Sequence, residues 1–276
     1  MAMNSVNTNV GAMIALQNLQ VTNNELTQVQ SRINTGKKVA SAKDNGAVWA
    51  IAQGQRAEIG ALNAVKDSLQ RGQSAVDVSL AAGETVSDLL TQLKEKALSA
   101  TDTSLTSSAR SALNEDFKSI RDQIATVVDN AAFNGVNLLD GSSTGGFAAL
   151  ANVSGSTITV SSEDMSLSGS VVTLGASAVI DTASAATASL ALVSASIDNV
   201  GASLAKLGTG SNSLGTHLTF VGKLQDTLEA GVGNLVDADL AKESARLQAL
   251  QTKQQLGVQA LSIANSSTSM LLGLFR

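Results

Sequence analysis

The stretch LALVSASIDNVGASLAKLGTGSNSLGTHLTFVGKLQDTLEAGVGNL, residues 190–235, decides the fold. Every seventh residue from Val193 is apolar: Val193, Val200, Leu207, Leu214, Val221, Leu228 and Leu235. A second ladder, three residues ahead, reads Leu190, Ile197, Leu204, Ser211, Leu218, Gln225 and Val232. Two interleaved seven-residue ladders are the a and d positions of a long helix with one continuous seam. Gly208 and Gly210 each weaken that helix by about 1 kcal/mol relative to Ala without shifting its phase.

The same signature lies upstream. Leu62, Leu69, Val76, Gly83, Leu90 and Ala97 interleave with Val65, Gly72, Ser79, Val86, Leu93 and Ala100, which predicts a second long helix over 57–100. The run SATDTSLTSS (99–108) reads as a turn and a fresh helix start. Leu113, Phe117, Ile120, Ile124, Val127 and Ala131 then mark a shorter helix. Both ends carry weaker ladders: Ala12, Leu19, Leu26 and Ile33 with Leu16 near the start, and Leu240, Leu247, Leu250, Leu261, Ala264 and Leu271 near the end. Gln254, Gly257 and Thr268 interrupt the second. Neither terminal stripe can bury itself, and an isolated amphipathic helix is marginal in water.

Between 141 and 186 the chain turns rich in Gly, Ser and Thr, and the alternating runs STITVS and SVVTLG predict two or three short strands. The predicted fold is mainly α: an elongated helical bundle of long, coiled-coil-like antiparallel helices, with a small β insert at its outer tip.

Composition excludes much else. The 276 residues are 43% hydrophobic yet 2% aromatic, so the apolar mass is Ala, Leu, Val and Ile, which suits helix seams. Proline is absent, so nothing forces a helix to break. Cysteine is absent, which removes disulfides, thiolate metal sites and a Cys nucleophile. A net charge of −5 leaves no electrostatic footprint for nucleic acid. The start lacks the pattern of a secretory signal peptide, and no run of about 18 uninterrupted apolar residues predicts a membrane span. His217 is the sole histidine, so one chain cannot form a multi-histidine metal site, and no HExxH motif occurs. GTGSNS (208–213) lacks the Lys of a phosphate loop, and DADLAKE (237–243) reads as the acidic first turn of a helix. No catalytic, cofactor or metal site is expected, and the protein is read as a non-enzyme.

NELTQVQSRINTGKKVASAKDNGAVWAIAQGQRAEI (24–59) resembles the N-terminal signature of bacterial flagellins, with Arg32, Ile33, Gly36, Val39, Ser41, Ala42, Asp44 and Asn45 filling its turn pattern. AAFNGVNLLDG (131–141) resembles the family's F-N-G turn through Phe133, Asn134 and Gly135. DADLAKESARLQALQTKQQLGVQALSIAN (237–265) and LLGLFR (271–276) are similar to the flagellin C-terminal helix. The resemblance spans about residues 4–141 and 190–276, and the wording is most like alphaproteobacterial, Caulobacter-type flagellins.

That resemblance implies a structural subunit that polymerises into the bacterial flagellar filament for swimming motility. The alternatives are a hook–filament junction protein or another secreted helical assembly protein. It implies an N-terminal inner-tube helix (1–44), two parts of an outer helical shell (45–140 and 187–235), the β-rich surface insert (141–186) and a C-terminal inner-tube helix (236–276). Polymerisation would run through Leu16, Leu19, Leu26, Ile33, Leu247, Leu250, Leu261, Leu271, Leu272, Leu274 and Phe275. Ser142, Ser143, Thr144, Ser161, Ser162, Ser166 and Ser168 become candidates for O-glycosylation. The implied partners are itself and sister flagellins, junction and cap proteins, an export chaperone and the flagellar type III export apparatus. The implied location is the extracellular filament, with no nucleic acid and no membrane insertion.

Overall fold

In the computed structural model, residues 8–273 are described, with side chains as far as Ser266. Five helices lie among them: α1 (Val10–Thr35), α2 (Gly46–Ala100), α3 (Ser107–Asp129), α4 (Ala183–Val236) and α5 (Leu240–Gly273). Between α3 and α4 come four short strands, β1 (Ala132–Phe133), β2 (Val136–Asn137), β3 (Phe147–Leu150) and β4 (Thr157–Val160).

Each helix starts at a residue whose side chain satisfies an otherwise orphaned first-turn N–H. Asn9 Oδ1 accepts from Ala12 N at 3.0 Å, Asn45 Oδ1 from Val48 N at 3.1 Å, and Thr106 Oγ1 from Ala109 N at 3.2 Å. Thr182 Oγ1 and Asp239 Oδ1 do the same for Ala185 N and Lys242 N, both at 3.1 Å. The turn predicted over 99–108 separates α2 from α3 as expected.

The chain divides into two compact units. Glu58–Asp226 forms one, and the chain on either side of it forms the other. In the Glu58–Asp226 unit, every rung of both α2 ladders is buried, Leu62 and Val65 through Ala97 and Ala100. From α4 the buried rungs are Val193, Val200, Leu207, Leu214 and Val221. The two helices run antiparallel: Asn63 and Lys66 meet Gln225, and Asp77 meets Ser211. α3 contributes a buried face of Asn114, Phe117, Arg121, Ile124 and Val128. By length and composition alone α4 passes as a membrane span, a reading that a search for uninterrupted apolar residues missed. Its many alanines raise hydropathy, and its rungs are packed inside the unit.

Two short strands, β3 and β4, lie within 141–186, in the number expected, but one of the two runs named for them is not a strand. STITVS does supply a strand, β4, which pairs antiparallel with β3 from Phe147↔Val160 to Leu150↔Thr157. SVVTLG (170–175) is not a strand. Its backbone finds partners on α4 instead: Ser196 Oγ accepts from Thr173 N at 3.1 Å, and Asn199 Nδ2 donates to Val171 O at 3.2 Å. With those groups satisfied, no neighbouring strand is needed, and Val172 and Leu174 are fully buried. α4 also begins at Ala183, seven residues before the first rung read from the sequence, because Thr182 caps it.

Candidate assembly surface

α1 and α5 pack antiparallel in the second unit. Gln254 Nε2 donates to Asn23 Oδ1 at 2.7 Å, and Asn9 Nδ2 donates to Ala264 O at 2.8 Å. The seam on α5 is an unbroken heptad stripe: Glu243, Leu247, Leu250, Gln254, Gly257, Leu261 and Ala264 are all buried or half-buried. Gln254 and Gly257, which look like interruptions in sequence, belong to the seam. A Cβ on Gly257 would lie 3.3 Å from Leu19 Cδ1, so the small residue permits close approach. Leu240, counted in the ladder, is 50% exposed at the helix start and outside the seam.

On α1 the most deeply buried residues are Thr22 and Val29, at 2% and 1% exposure. The ladder Leu19, Leu26 and Ile33 is half-buried, and Leu16 is exposed. Leu250 is buried within the unit, while Leu247 and Leu261 are half-buried. Leu271 and Leu272 fall in the last turn of α5, where side chains lie outside the described residues, as do Leu274 and Phe275 altogether.

Away from the seam both helices show bare apolar side chains: Val10, Met13, Ile14 and Val21 on α1, and Leu256, Val258 and Ile263 on α5, each at least half exposed. Between the helices runs a groove of about 610 Å³ lined by Ile14, Ala15, Leu19, Leu256 and Ala260. Large apolar side chains exposed together on one helix pair are a signature of interaction faces in general.

The signature turn links α1 to α2. α1 ends at Gly36, whose φ of 68° is the left-handed conformation that glycine adopts without strain. Asp44 Oδ2 accepts from Ala40 N at 3.0 Å, Ser41 N at 2.9 Å and Ser41 Oγ at 3.1 Å. These hydrogen bonds, Ser41's first, hold the Asp44 carboxyl below the usual range, opposed by slight desolvation and assisted by Arg32. Residues 36–39 then lie against 236–238. Val236 O accepts from Lys38 N at 2.8 Å and Val39 N at 3.2 Å, Gly36 O accepts from Ala238 N at 2.9 Å, and Lys37 and Asp237 form an antiparallel bridge. Arg32 Nη1 meets Glu243 Oε1 at 3.1 Å across the same place. So DADLAKE does begin a helix, and its Glu243 faces Arg32, a pairing invisible in sequence because 211 residues separate the two.

The F-N-G motif makes a two-residue hairpin turn. Phe133 pairs with Val136, and φ is 50° at Asn134 and 79° at Gly135. Positive φ at both central residues defines the turn type that Asn-Gly favours. Among the glycosylation candidates, Ser142, Thr144, Ser161 and Ser168 are exposed, and Ser143, Ser162 and Ser166 are half-buried. Ser142 and Ser166 donate their hydroxyls to Asp140 and Asp164. His217 is half-buried, its Nε2 2.6 Å from Ala151 O and its ring 5.7 Å from that of Phe220. No group of three or more potential ligands for a metal ion occurs among the described residues.

Two helix pairs with heptad seams, one with apolar faces left bare, define a self-assembling structural protein. The models of the bacterial flagellin N-terminal and C-terminal helical regions match residues 6–144 and 190–275. Flagellin FljM of Caulobacter vibrioides is 60% identical over 276 residues, covering 100% of both chains. A Brucella melitensis flagellin is 38% identical over 283 residues, covering 99% of this chain and 100% of its own. The structure of a putative flagellar hook-associated protein from Vibrio parahaemolyticus shares the fold at TM-score 0.56 and 16% identity, covering 70% of this chain and 100% of that one. Bacillus cereus flagellin does so at TM-score 0.50 and 21% identity, covering 56% and 88%. The chain belongs to the bacterial flagellin family, whose members are structural subunits of the flagellar filament.

Proposed function

We propose that this subunit polymerises through α1 and α5, with the two helices forming the inner tube of the filament and the remaining helices an outer shell. The domain limits are then 1–44 and 236–276 for the tube, 45–140 and 187–235 for the shell, and 141–186 for the surface insert. The exposed apolar side chains on α1 and α5 carry this reading, because a folded chain gains nothing by presenting Met13, Ile14 and Ile263 to water. Leu16, Leu19, Leu26, Ile33, Leu247 and Leu261 keep surface for neighbouring copies and Leu250 holds the pair together, while Leu271, Leu272, Leu274 and Phe275 are assigned to polymerisation from the sequence.

Further partners follow from that role: sister flagellins in one filament, junction and cap proteins at its ends, and an export chaperone with the flagellar type III export apparatus before assembly. The site of action is then outside the cell. Thr144 and Ser161 are the best-placed candidates for O-linked sugar, since both are exposed and, among the described residues, no hydrogen bond engages either hydroxyl. A native subunit whose intact mass equals the unmodified 28.0 kDa would dismiss the sugar.

Assembly is tested by seeding purified chain onto sheared filament fragments and counting tubes by electron microscopy. Leu16→Asp should stop elongation, and growth at the unmodified rate would refute the proposed surface.

A further inference from the structure

We propose that the Arg32–Glu243 ion pair and the 36–39/236–238 bridge act as a register clamp, which fixes α1 against α5 before their seam closes. This rests on the assembly role of the two helices and adds the element that orients them.

The seam sets its register in part, through Leu19 against Gly257 and the Asn23–Gln254 and Asn9–Ala264 hydrogen bonds. Its outer half carries several small half-buried residues, Ala12 and Ala15 on α1 and Gly257 and Ala264 on α5, with Leu19 and Leu261 among them. Sliding one helix by a heptad loses those contacts but still lays stripe on stripe, so a second device that names one register sharpens the choice. The clamp lies at the other end and is directional. The backbone bonds made by Gly36, Lys38, Val39, Val236 and Ala238 have one set of partners. Glu243 adds a charge that tolerates one solution. The residue is 8% exposed, Oε1 holds Arg32, and Oε2 is buried with no hydrogen-bond partner. Among the described residues Arg32 makes the ion pair to this buried carboxylate, with Lys38, Lys242 and Arg246 lining the same cavity, and any register that separates Arg32 from Glu243 weakens that compensation. Arg32 itself, with its side chain 25% exposed, can still reach water. The pair is thus asymmetric: losing the arginine should hurt more than losing the glutamate.

Because the chain has no cysteine, engineered disulfides can read the register. A Cβ on Gly11 would lie 3.9 Å from Ala264 Cβ, within the range a disulfide spans. Full-length chain carrying Gly11→Cys with Ala264→Cys reports the native register, and Gly11→Cys with Gly257→Cys reports a one-heptad slip. Each is oxidised under assembly conditions, and intrachain cross-links are counted on non-reducing gels. In both reporters Arg32→Glu should lower the native-to-slipped ratio about tenfold or more, and Glu243→Gln should lower it less. The exchanged pair, Arg32→Glu with Glu243→Arg, should restore it, which a merely structural role would not predict. An unchanged ratio in Arg32→Glu, or a swap no better than the single variant, overturns the clamp. Arg32→Lys, which keeps the charge, guards against misfolding of the reversal: it should hold a near-native ratio, and a loss as large as that of Arg32→Glu also overturns it. If Arg32→Glu keeps native cross-links yet assembles normally, the clamp fails alone. If Leu16→Asp also assembles normally, the assembly surface has failed with it.

Discussion

Gly72 and Gly83 occupy buried rungs of α2 where the heptad pattern calls for a larger residue. The space is already filled: a Cβ on Gly72 would lie 2.8 Å from Phe147 Cε1, and one on Gly83 2.6 Å from Leu204 Cδ2. Phe147 is a stiff ring, so Gly72→Ala should destabilise the subunit by about 1–2 kcal/mol even after the helix-propensity gain. Gly201 on α4 has nothing within 4 Å, and Gly201→Ala should stabilise by about 0.5–1 kcal/mol. Denaturant melts of the two variants, moving in opposite directions, check this. Asp44 gives a pH signature at the same scale. Its carboxyl is held below the usual range by Ser41 and Ala40, so the folded state favours the ionised form. That contribution is present above the ordinary aspartate range, about pH 4, and fades as pH falls through the depressed native value. The stability difference between the parent chain and Asp44→Ala should therefore shrink in acid. A difference that stays constant to pH 2 contradicts the cap. In sequence, the motif named Ser41 and Asp44 but not their bond, and the glycines looked like flaws in a ladder.

Among the elements, α4 shows what periodicity could and could not reveal. Its Val193-to-Val221 ladder is buried as read, because a seven-residue repeat has one helical solution. Beside it runs a line at the same spacing, Ser189, Ser196 and Ser203, equally buried. Serine carries no hydropathy signal, so the line was illegible without its partners. Ser189 Oγ donates to Val179 O at 3.0 Å, Ser196 Oγ accepts from Thr173 N at 3.1 Å, and Ser203 Oγ donates to Glu163 Oε2 at 2.8 Å. These bonds dock segment 163–180 onto the helix, which is why SVVTLG needs no strand partner. Glu163 is 9% exposed and otherwise relies on Lys206 at 3.2 Å. Ser203→Ala should cost about 1–3 kcal/mol, the range for removing a partner from a buried acceptor. Equilibrium unfolding would check it, and a loss below about 0.3 kcal/mol would show that water replaces the hydroxyl.

For the whole molecule, stability and assembly should separate cleanly. The Glu58–Asp226 unit buries full ladders, so truncating one rung is expensive: Leu207, at 1% exposure, should lose about 2–5 kcal/mol on change to Ala. Ile263 is 69% exposed and Leu256 59% exposed. Ile263→Asp with Leu256→Asp should move the melting transition of the free subunit by no more than about 0.5 kcal/mol each, as surface changes do. Yet the same pair should abolish polymerisation, because in the filament each charge would be buried without a partner. Amide exchange locates the difference. α1 and α5 make one helix–helix seam with few fully buried residues, so their amides should exchange quickly in the free subunit and slowly in the filament. The ordering of those helices is then completed by neighbouring copies, with the entropy cost met by the apolar surface they cover. Strong protection of Leu261 in free subunits would contradict this, as would filaments formed by the double-aspartate variant. In sequence the one-sided terminal ladders showed only that neither end can bury its stripe alone, and the flagellin-like motifs supplied the assembly reading. The apolar surface that the α1–α5 pairing leaves exposed is what a second copy of the chain should cover.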